Sequence, residues 1–157
     1  MAKYAEKTTV SSQRSRADIE ECLMRYGASG FMSGITADKA MIAFEAQGRR
    51  IKFVLPLPHR DEFKKKPDKR SYHRTITRTP EQQAQAYEQA VRQKWRALYL
   101  VIKAKLEAVE SGISEFEDEF LAHIVLPNGQ TMGEHSRPLI HRAYETGTMP
   151  PLLPHLE

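Results

Sequence analysis

Cysteine is almost absent from this chain, since Cys22 is the only one among 157 residues. A single cysteine cannot form an internal disulfide or a zinc site of several thiolates, and such usage is typical of a reducing compartment. No apolar run approaches the roughly 18 residues that a membrane-spanning helix needs. Residues 1–16 are polar and lack the apolar stretch of a secretory signal. These absences predict a cytoplasmic protein with no membrane partner.

The glycine pattern of nucleotide-binding enzymes is missing as well. The glycines in the first third of the chain fit neither G-x-G-x-x-G nor G-x-x-x-x-G-K-[ST]. Both patterns need glycines at fixed places so that backbone amides reach a phosphate. Cys22 falls on the apolar face of a predicted helix, where a buried small side chain is expected rather than a nucleophile. We therefore expect no enzyme and no cofactor.

One group of side chains is compatible with metal binding or acid-base chemistry. Glu134, His135 and His141 are close in sequence, and His141 lies one helical turn before Glu145. Motifs such as H-E-x-x-H need two histidines on one helix face, and His135 precedes Pro138, where we expect the helix to begin. An exposed helix edge is the favoured interpretation, so no metal site is predicted. An enzyme built on these side chains is the third hypothesis.

Positive charge is concentrated in one segment of the chain. Residues 59–78 contain eight lysines and arginines against three acidic residues, whereas the whole chain has 24 basic and 20 acidic residues. The rest of the chain is therefore close to neutral. This basic loop supplies the whole positive excess, and at about twenty residues it is longer than a compact domain needs for a connection.

Hydrophobic periodicity predicts an α+β fold. Helical spacing of apolar residues indicates an N-terminal helix over 15–27. Alternation of apolar and polar residues then predicts strands at 40–44 and 51–55, joined at Gly48, with a third strand at 31–35. The three strands would form one antiparallel sheet.

A long helix follows the basic loop. Thr79 and Gln82 form a capping signature around Pro80, and neither Gly nor Pro interrupts the chain before Gly112. We expect a helix over 80–111 whose apolar stripe includes Trp95. The predicted core packs this stripe and the first helix against one face of the sheet, formed by Ile42, Phe44, Ile51, Phe53 and Leu55.

Two short helices complete the predicted domain. Ser114 with Glu117 resembles a second capping box, and a last helix is expected over 138–145. The predicted organisation is a flexible tail over 1–14, one domain over 15–147 and a proline-rich extended tail over 148–157.

The basic loop gives the strongest functional signal. Lysine and arginine neutralise phosphates, and planar side chains between them can support an unstacked base, which favours a single strand. The alternative is a solvated loop whose charges bind nothing. The predicted nucleic-acid-binding residues are Arg49, Arg50, Lys52, Lys64, Lys65, Lys66, Lys69, Arg70, Tyr72, Arg74 and Arg78.

Two resemblances bear on context. The stretches AFEAQGRRIKFVLPLP and WRALYLVIKAKLEAVESGISEFEDEFLAHIVLPNGQTMGEH resemble small uncharacterised proteins encoded by bacteriophages and prophages. The order of three strands and a long helix, over 31–111, is similar to the core of single-strand annealing proteins, where a basic groove holds DNA. With the preceding helix it equally resembles a double-stranded-RNA-binding domain. The first resemblance implies a phage context, and hence the cytoplasm of a bacterial host, whereas the topological ones concern the fold; none implies a catalytic residue.

These observations lead to two main hypotheses. The first is a non-enzymatic phage accessory protein that binds nucleic acid, preferably single-stranded, in recombination or replication. The second is an inhibitor or adaptor that binds a host protein, such as a defence enzyme, through the long helix or the tail MPPLLP. A homo-oligomer is compatible with the first hypothesis.

Overall fold

The computed structural model describes residues 5–68, 74–149 and 151, and it has the predicted α+β fold. An N-terminal helix precedes a three-stranded antiparallel sheet, a small two-stranded sheet, a long helix and two shorter C-terminal helices. The elements are α1 (Ser12–Arg25), β1 (Gly30–Ile35), β2 (Lys39–Ala46), β3 (Arg49–Pro56), β4 (Lys65–Pro67), β5 (Thr75–Thr77), α2 (Pro80–Glu110), α3 (Phe116–Phe120) and α4 (Met132–Thr146). Among the described residues, no helix combines the length and apolar character needed to cross a bilayer.

Helix α1 begins three residues earlier than the sequence predicted. The Ser11 hydroxyl accepts a hydrogen bond from the Arg14 backbone N–H at 3.0 Å and caps the helix. Ser15, which was expected to open the helix, is buried inside it. The segment before the helix also contacts α2, because the Gln89 side-chain amide donates to the backbone carbonyls of Glu6 and Thr8.

The main sheet has the order β1-β2-β3, with both pairs antiparallel. Gln47 and Gly48 join β2 to β3 with φ values of 49° and 71°, which fits the type I′ turn that matches strand twist. The register places Phe44 opposite Ile51. The predicted hairpin and third strand are confirmed.

The core lies between one face of this sheet and helices α1 and α2. Trp95 of α2 and Phe44 of the sheet are almost completely buried. Phe120 of α3 meets the rings of Phe44 and Phe53 edge-on at centroid distances of 6.0 and 6.3 Å. The predicted core is confirmed, with Leu55 at its margin.

Helix α2 confirms the predicted cap. The Thr79 hydroxyl accepts from the Gln82 backbone N–H, and the Gln82 side chain accepts from the Thr79 N–H. The second predicted capping box, at Ser114, is wrong. The Ser114 N–H still donates to the Ala108 carbonyl at the end of α2, so α3 starts one residue later from Glu115 without a side-chain cap.

The last helix is nearly twice as long as predicted. The Thr131 hydroxyl accepts from the Glu134 N–H at 3.1 Å, and the Glu134 carboxylate accepts from the Thr131 N–H at 2.7 Å. This capping box starts α4 at Met132, so Pro138 lies inside the helix rather than at its start. Pro138 is exposed, so water can reach the turn in which its missing N–H leaves a carbonyl unpaired.

The basic loop is partly regular structure rather than a plain loop. A 3-10 turn over Arg60–Phe63 leads into strand β4, which pairs antiparallel with β5. Lys65 lies opposite Thr77, and Pro67 lies opposite Thr75. We call residues 60–78 the basic arm, of which 69–73 lie outside the described residues, as do 1–4, 150 and 152–157.

Candidate nucleic-acid interface

The first residues of the basic arm, 60–63, pack against helix α2. The Phe63 ring meets the Tyr87 ring edge-on at a centroid distance of 6.1 Å, and the Arg60 guanidinium lies 4.8 Å from the Tyr87 ring centroid. The Gln83 side-chain amide donates to the Arg60 carbonyl at 2.8 Å. The arm therefore has a defined position on the first turns of α2.

Arg78 joins the two ends of the arm. Its guanidinium donates to the carbonyls of Phe63, at 3.1 Å, and Lys65, at 2.6 Å. Its backbone N–H donates to the Lys64 carbonyl at 2.8 Å. The Arg78 guanidinium thus stabilises the shape of the arm. Its side chain also lines a groove between the arm and α2.

Five of the six described cations of the arm have no carboxylate partner among the described residues. Two of them, Arg60 and Arg78, are held by the Tyr87 ring and by backbone carbonyls. Lys65 and Arg74 are exposed, and their side chains make no hydrogen bond or ion pair with any described residue. Lys66 contacts only a neutral group, the Gln82 side-chain oxygen at 3.2 Å. Lys64, in contrast, pairs with Asp61 at 2.9 Å. Lys65, Lys66 and Arg74 therefore present uncompensated positive charge to solvent.

A shallow groove runs between the arm and the first turns of α2. Its lining is rich in amide and cationic donors, which are the groups that bind phosphate oxygens and base edges. One acidic residue, Glu88, is held in an ion pair with Arg92. The lining residues are Lys66, Arg78, Gln82, Gln85, Ala86, Glu88, Gln89 and Arg92.

The other predicted cations lie at the start of β3, and each is neutralised. Arg49 pairs with Glu117 at 3.7 Å, and Arg50 pairs with Glu45 at 3.0 Å. Lys52 pairs with Glu134 at 3.3 Å and also donates to the Gly129 carbonyl. We call Arg49, Arg50 and Lys52 the β3 cluster.

Arg49 and the basic arm lie beyond opposite ends of β3. Arg49 begins the strand and the arm follows its end, and the strand spans eight residues. At about 3.3 Å per residue, the strand alone separates Arg49 from the segment leading to the arm by more than about 20 Å. We therefore treat the β3 cluster and the arm as two candidate surfaces.

One titratable side chain near the β3 cluster is partly desolvated. The His123 ring stacks on Phe53 with ring centroids 3.9 Å apart. Burial is the main cause that lowers the pKa of His123 below its ordinary value, and the positive charge of Lys105 contributes in the same direction. The His123 ring is therefore tied to the core beneath the β3 cluster.

Base stacking cannot be assigned to the described aromatic residues of the arm. Phe63 and Tyr87 contact each other, and Arg60 covers one face of Tyr87. Tyr72, together with Lys69 and Arg70, lies outside the described residues. The stacking role of Tyr72 stays a prediction.

The candidate acid-base group diverges into separate contacts. Glu134 caps α4 and pairs with Lys52; its pKa is lowered, chiefly by the hydrogen bond from the Thr131 backbone N–H. His141 faces Glu145 at 3.2 Å on the exposed side of α4. Across 5–68, 74–149 and 151, no three His, Cys, Asp or Glu side chains are grouped to hold a metal ion.

The glutamines of the groove were not predicted as site residues. Gln82, Gln85 and Gln89 follow the Thr79 cap at spacings of three and four, and Arg92 continues the series. That spacing places the four side chains on one face of α2. The sequence signal that could have identified these residues is a polar stripe along one helix face, directly after the basic segment.

Comparison of the chain with protein-family models, curated proteins and solved structures found no match. The function of the protein therefore has to be inferred from its own residues and their arrangement.

Proposed function

We propose that this protein is a non-enzymatic phage accessory protein that binds nucleic acid, preferably single-stranded, in recombination or replication. The binding surface is the basic arm together with the groove on α2. The observation that supports this proposal is the cluster of Lys65, Lys66 and Arg74, three cations without a carboxylate partner among the described residues. Such cations are available to phosphates.

Phosphate binding supplies the affinity in this proposal. Each phosphate that a lysine or arginine neutralises releases condensed counterions, so affinity falls steeply as salt rises. The side-chain amide of Gln85 adds a donor and an acceptor that suit exposed base edges. The Gln89 amide already donates to the carbonyls of Glu6 and Thr8, and the Gln82 side-chain oxygen already accepts from Lys66. A single strand can follow the groove because its backbone bends easily, and its unpaired bases leave these edges open.

The direct test is fluorescence anisotropy with labelled DNA of about 20 nucleotides, single- and double-stranded, at about 50 and 200 mM NaCl. We expect micromolar or tighter binding to the single strand and at least a tenfold loss between the two salt concentrations. Tighter binding to the duplex would overturn the preference for single strands. No salt-sensitive binding of either DNA at micromolar protein would overturn the proposal, provided that RNA of the same sequence is not bound either.

A matched pair of variants tests the location of the site. Lys65→Ser, Lys66→Ser and Arg74→Ser together remove three charges of the arm that have no described carboxylate partner. The control removes three charges from the β3 cluster, through Arg49→Ser, Arg50→Ser and Lys52→Ser. We expect the arm variant to lose at least about tenfold in affinity and to show a shallower salt dependence, while the control stays within about threefold of the wild type. Equal losses would show that net charge, not the arm, carries binding.

A protein-binding adaptor or inhibitor of a host enzyme is the second candidate. It is favoured by the apolar residues on the outer side of α4, where Tyr144 is 89% exposed and Ile140 is 49% exposed. A pull-down from nuclease-treated host lysate discriminates between the candidates. A protein partner that is retained after nuclease treatment, lost with Tyr144→Ser and kept by the arm variant would support the adaptor.

A further inference from the structure

Strand β1 is an open edge of the main sheet. The Thr36 N–H donates to the Lys39 carbonyl, so Thr36 and Lys39 form a hydrogen-bonded pair. Because such pairs alternate along an antiparallel ladder, the even-numbered residues of β1 form the hydrogen bonds to β2. The backbone N–H and C=O groups of Phe31, Ser33 and Ile35 then point away from the sheet. No residue that the structure describes forms a hydrogen bond with them.

This edge lacks the features that usually prevent pairing with another strand. Its sequence, GFMSGI, contains no charged residue and no proline, and it is six residues long. Proteins normally protect an edge with charges, proline, bulges or a covering segment. The opposite edge of the sheet is partly covered, because the Val125 N–H donates to the Arg50 carbonyl and Ile124 bridges to Ile51.

The edge is self-complementary about Ser33. If two copies pair antiparallel with Ser33 opposite the partner's Ser33, Phe31 lies opposite the partner's Ile35. Every outward N–H and C=O of the three odd-numbered residues then finds a partner, and the overlap covers the whole strand. A two-fold pairing of this kind is an isologous interface, in which both copies use the same surface.

Side chains on both faces fit this register. On the outer face, Met32 is 59% exposed and would lie opposite the partner's Gly34, around whose Cβ position no atom lies within 4 Å. On the core side, Ile35 is 53% exposed and would pack beside the partner's Phe31, which already contacts the core. The exposed apolar side chains thus meet open space or apolar surface.

The charged residues near this edge add no attraction in the same register. Glu45 lies opposite Gly30 in one copy and Lys39 lies opposite Thr36 in the other, so Gly30 and the partner's Thr36 stand between the two charges at about 4.8 Å per strand. Glu45 also already pairs with Arg50. Arg16, which donates to the Ser33 hydroxyl at 2.7 Å, approaches the partner's Arg16 near the axis. That repulsion is screened by salt, so association should not weaken steeply as salt rises.

We propose that two copies of this chain associate through the β1 edge into a continuous six-stranded antiparallel sheet. The proposal does not depend on nucleic-acid binding, because the basic arm lies elsewhere. A single paired edge buries less than a standard interface of about 1,600 Å². We therefore expect a dissociation constant in the range of about 1 to 100 μM.

Sedimentation equilibrium of the nuclease-treated full chain, from about 2 to 200 μM, tests association directly. We expect a monomer-dimer equilibrium, and a monomer throughout this range would overturn the proposal. The variant Met32→Lys should abolish the dimer, because it places a charged side chain in the space beside the partner's Gly34 that Met32 would fill. The matched control is Val54→Lys, an exposed strand residue distant from the edge, which should dimerise as the wild type does. Dimerisation of Met32→Lys at unchanged affinity would place the interface elsewhere.

Cysteine cross-linking tests the register. The proposed axis puts the Cα atoms of Ser33 and the partner's Ser33 about 5.5 Å apart, which suits a disulfide. Ser33→Cys should form an intermolecular disulfide on mild oxidation, whereas Ile35→Cys, four residues off register, should not. The native Cys22 is buried and serves as an internal control in both variants. Cross-linking of Ile35→Cys in preference to Ser33→Cys would overturn this register.

Discussion

The basic arm and the β3 cluster carry the same kind of side chain in opposite electrostatic settings. In the β3 cluster, Arg49, Arg50 and Lys52 each face a carboxylate, and these partners come from three different elements of the chain. On the arm, Lys65 and Arg74 face solvent. The number of lysines and arginines in a segment therefore does not give the positive charge that its surface presents, because carboxylate partners neutralise some of these cations.

The two regions also differ in how they are attached to the core. Beneath the β3 cluster, Phe53 is buried and contacts both His123 and Phe120. The arm is held by Phe63 and by the hydrogen bonds of Arg78, all near the surface. We therefore expect perturbation of β3 to affect the whole fold and perturbation of the arm to stay local.

The largest difference should appear when one aromatic ring is removed from each region. Phe53→Ala leaves a cavity in the core and should cost about 3–5 kcal/mol, which lowers the Tm by roughly 10 °C. Phe63→Ala should lower the Tm much less, because its ring is only partly buried and packs on the arm side of α2. Differential scanning calorimetry measures both. Equal shifts would show that the arm belongs to the same cooperative unit as the sheet.

Reversing one charge in each region should separate binding from stability. Lys65→Glu puts a negative charge among free cations and should weaken DNA binding by about tenfold at low salt. Arg50→Glu places a like charge beside Glu45 and should lower the Tm slightly, with little change in affinity. Anisotropy and thermal melts on both variants give the result. If Arg50→Glu weakens binding as strongly as Lys65→Glu, the two regions act as one site.

Loosening the arm tests whether its shape matters as well as its charge. Arg78→Lys keeps the charge, but its Nζ ends one bond short of the Arg78 Nη1 that donates to both carbonyls. Amide hydrogen exchange should rise over residues 63–78 and stay unchanged in β3, and DNA affinity should fall by about threefold. Arg50→Lys is the matched control for the β3 cluster. Unchanged exchange in the arm would mean that Arg78 does not order it.

The smallest effect is a pH dependence confined to the β3 side. Because burial lowers the pKa of His123, the folded protein binds this proton less readily than the unfolded chain does. Stability from this residue is complete above the ordinary histidine pKa of about 6.5 and is lost as pH falls below it. His123→Gln should flatten the fall in Tm between about pH 6.5 and 5. A wild-type Tm that is constant over that interval would contradict the shift.

Local sequence signals predicted most of the fold, and they failed where two signals competed. Thr79 and Gln82 located the start of α2 because nothing nearby contradicted them. Thr131 and Glu134 form an equivalent capping box, but Pro138 by itself predicts a helix start, since proline is common in the first turn. The structure tolerates Pro138 inside α4 because that side of the helix is exposed.

The strands of the arm were missed for a related reason. The run Thr75–Thr77 is β-branched, which favours a strand, but it is three residues long and lies beside many charges. A two-stranded ribbon of this length is marginal by itself. The packing of Phe63 on Tyr87 and the bonds of Arg78 supply the additional stabilisation, and these contacts join residues 13 to 24 positions apart.

By itself, the sequence determined the order of helices and strands, the composition of the core and the location of the positive excess. These follow from periodicity, capping and turn chemistry, which act between residues near one another in the chain. Only the tertiary structure decided which cations are free. Lys52 meets Glu134 from 82 residues away, and Arg49 meets Glu117 from a similar separation, because folding brings distant elements together. The same folding leaves Lys65 and Arg74 without a described carboxylate partner, at the surface that we propose binds nucleic acid.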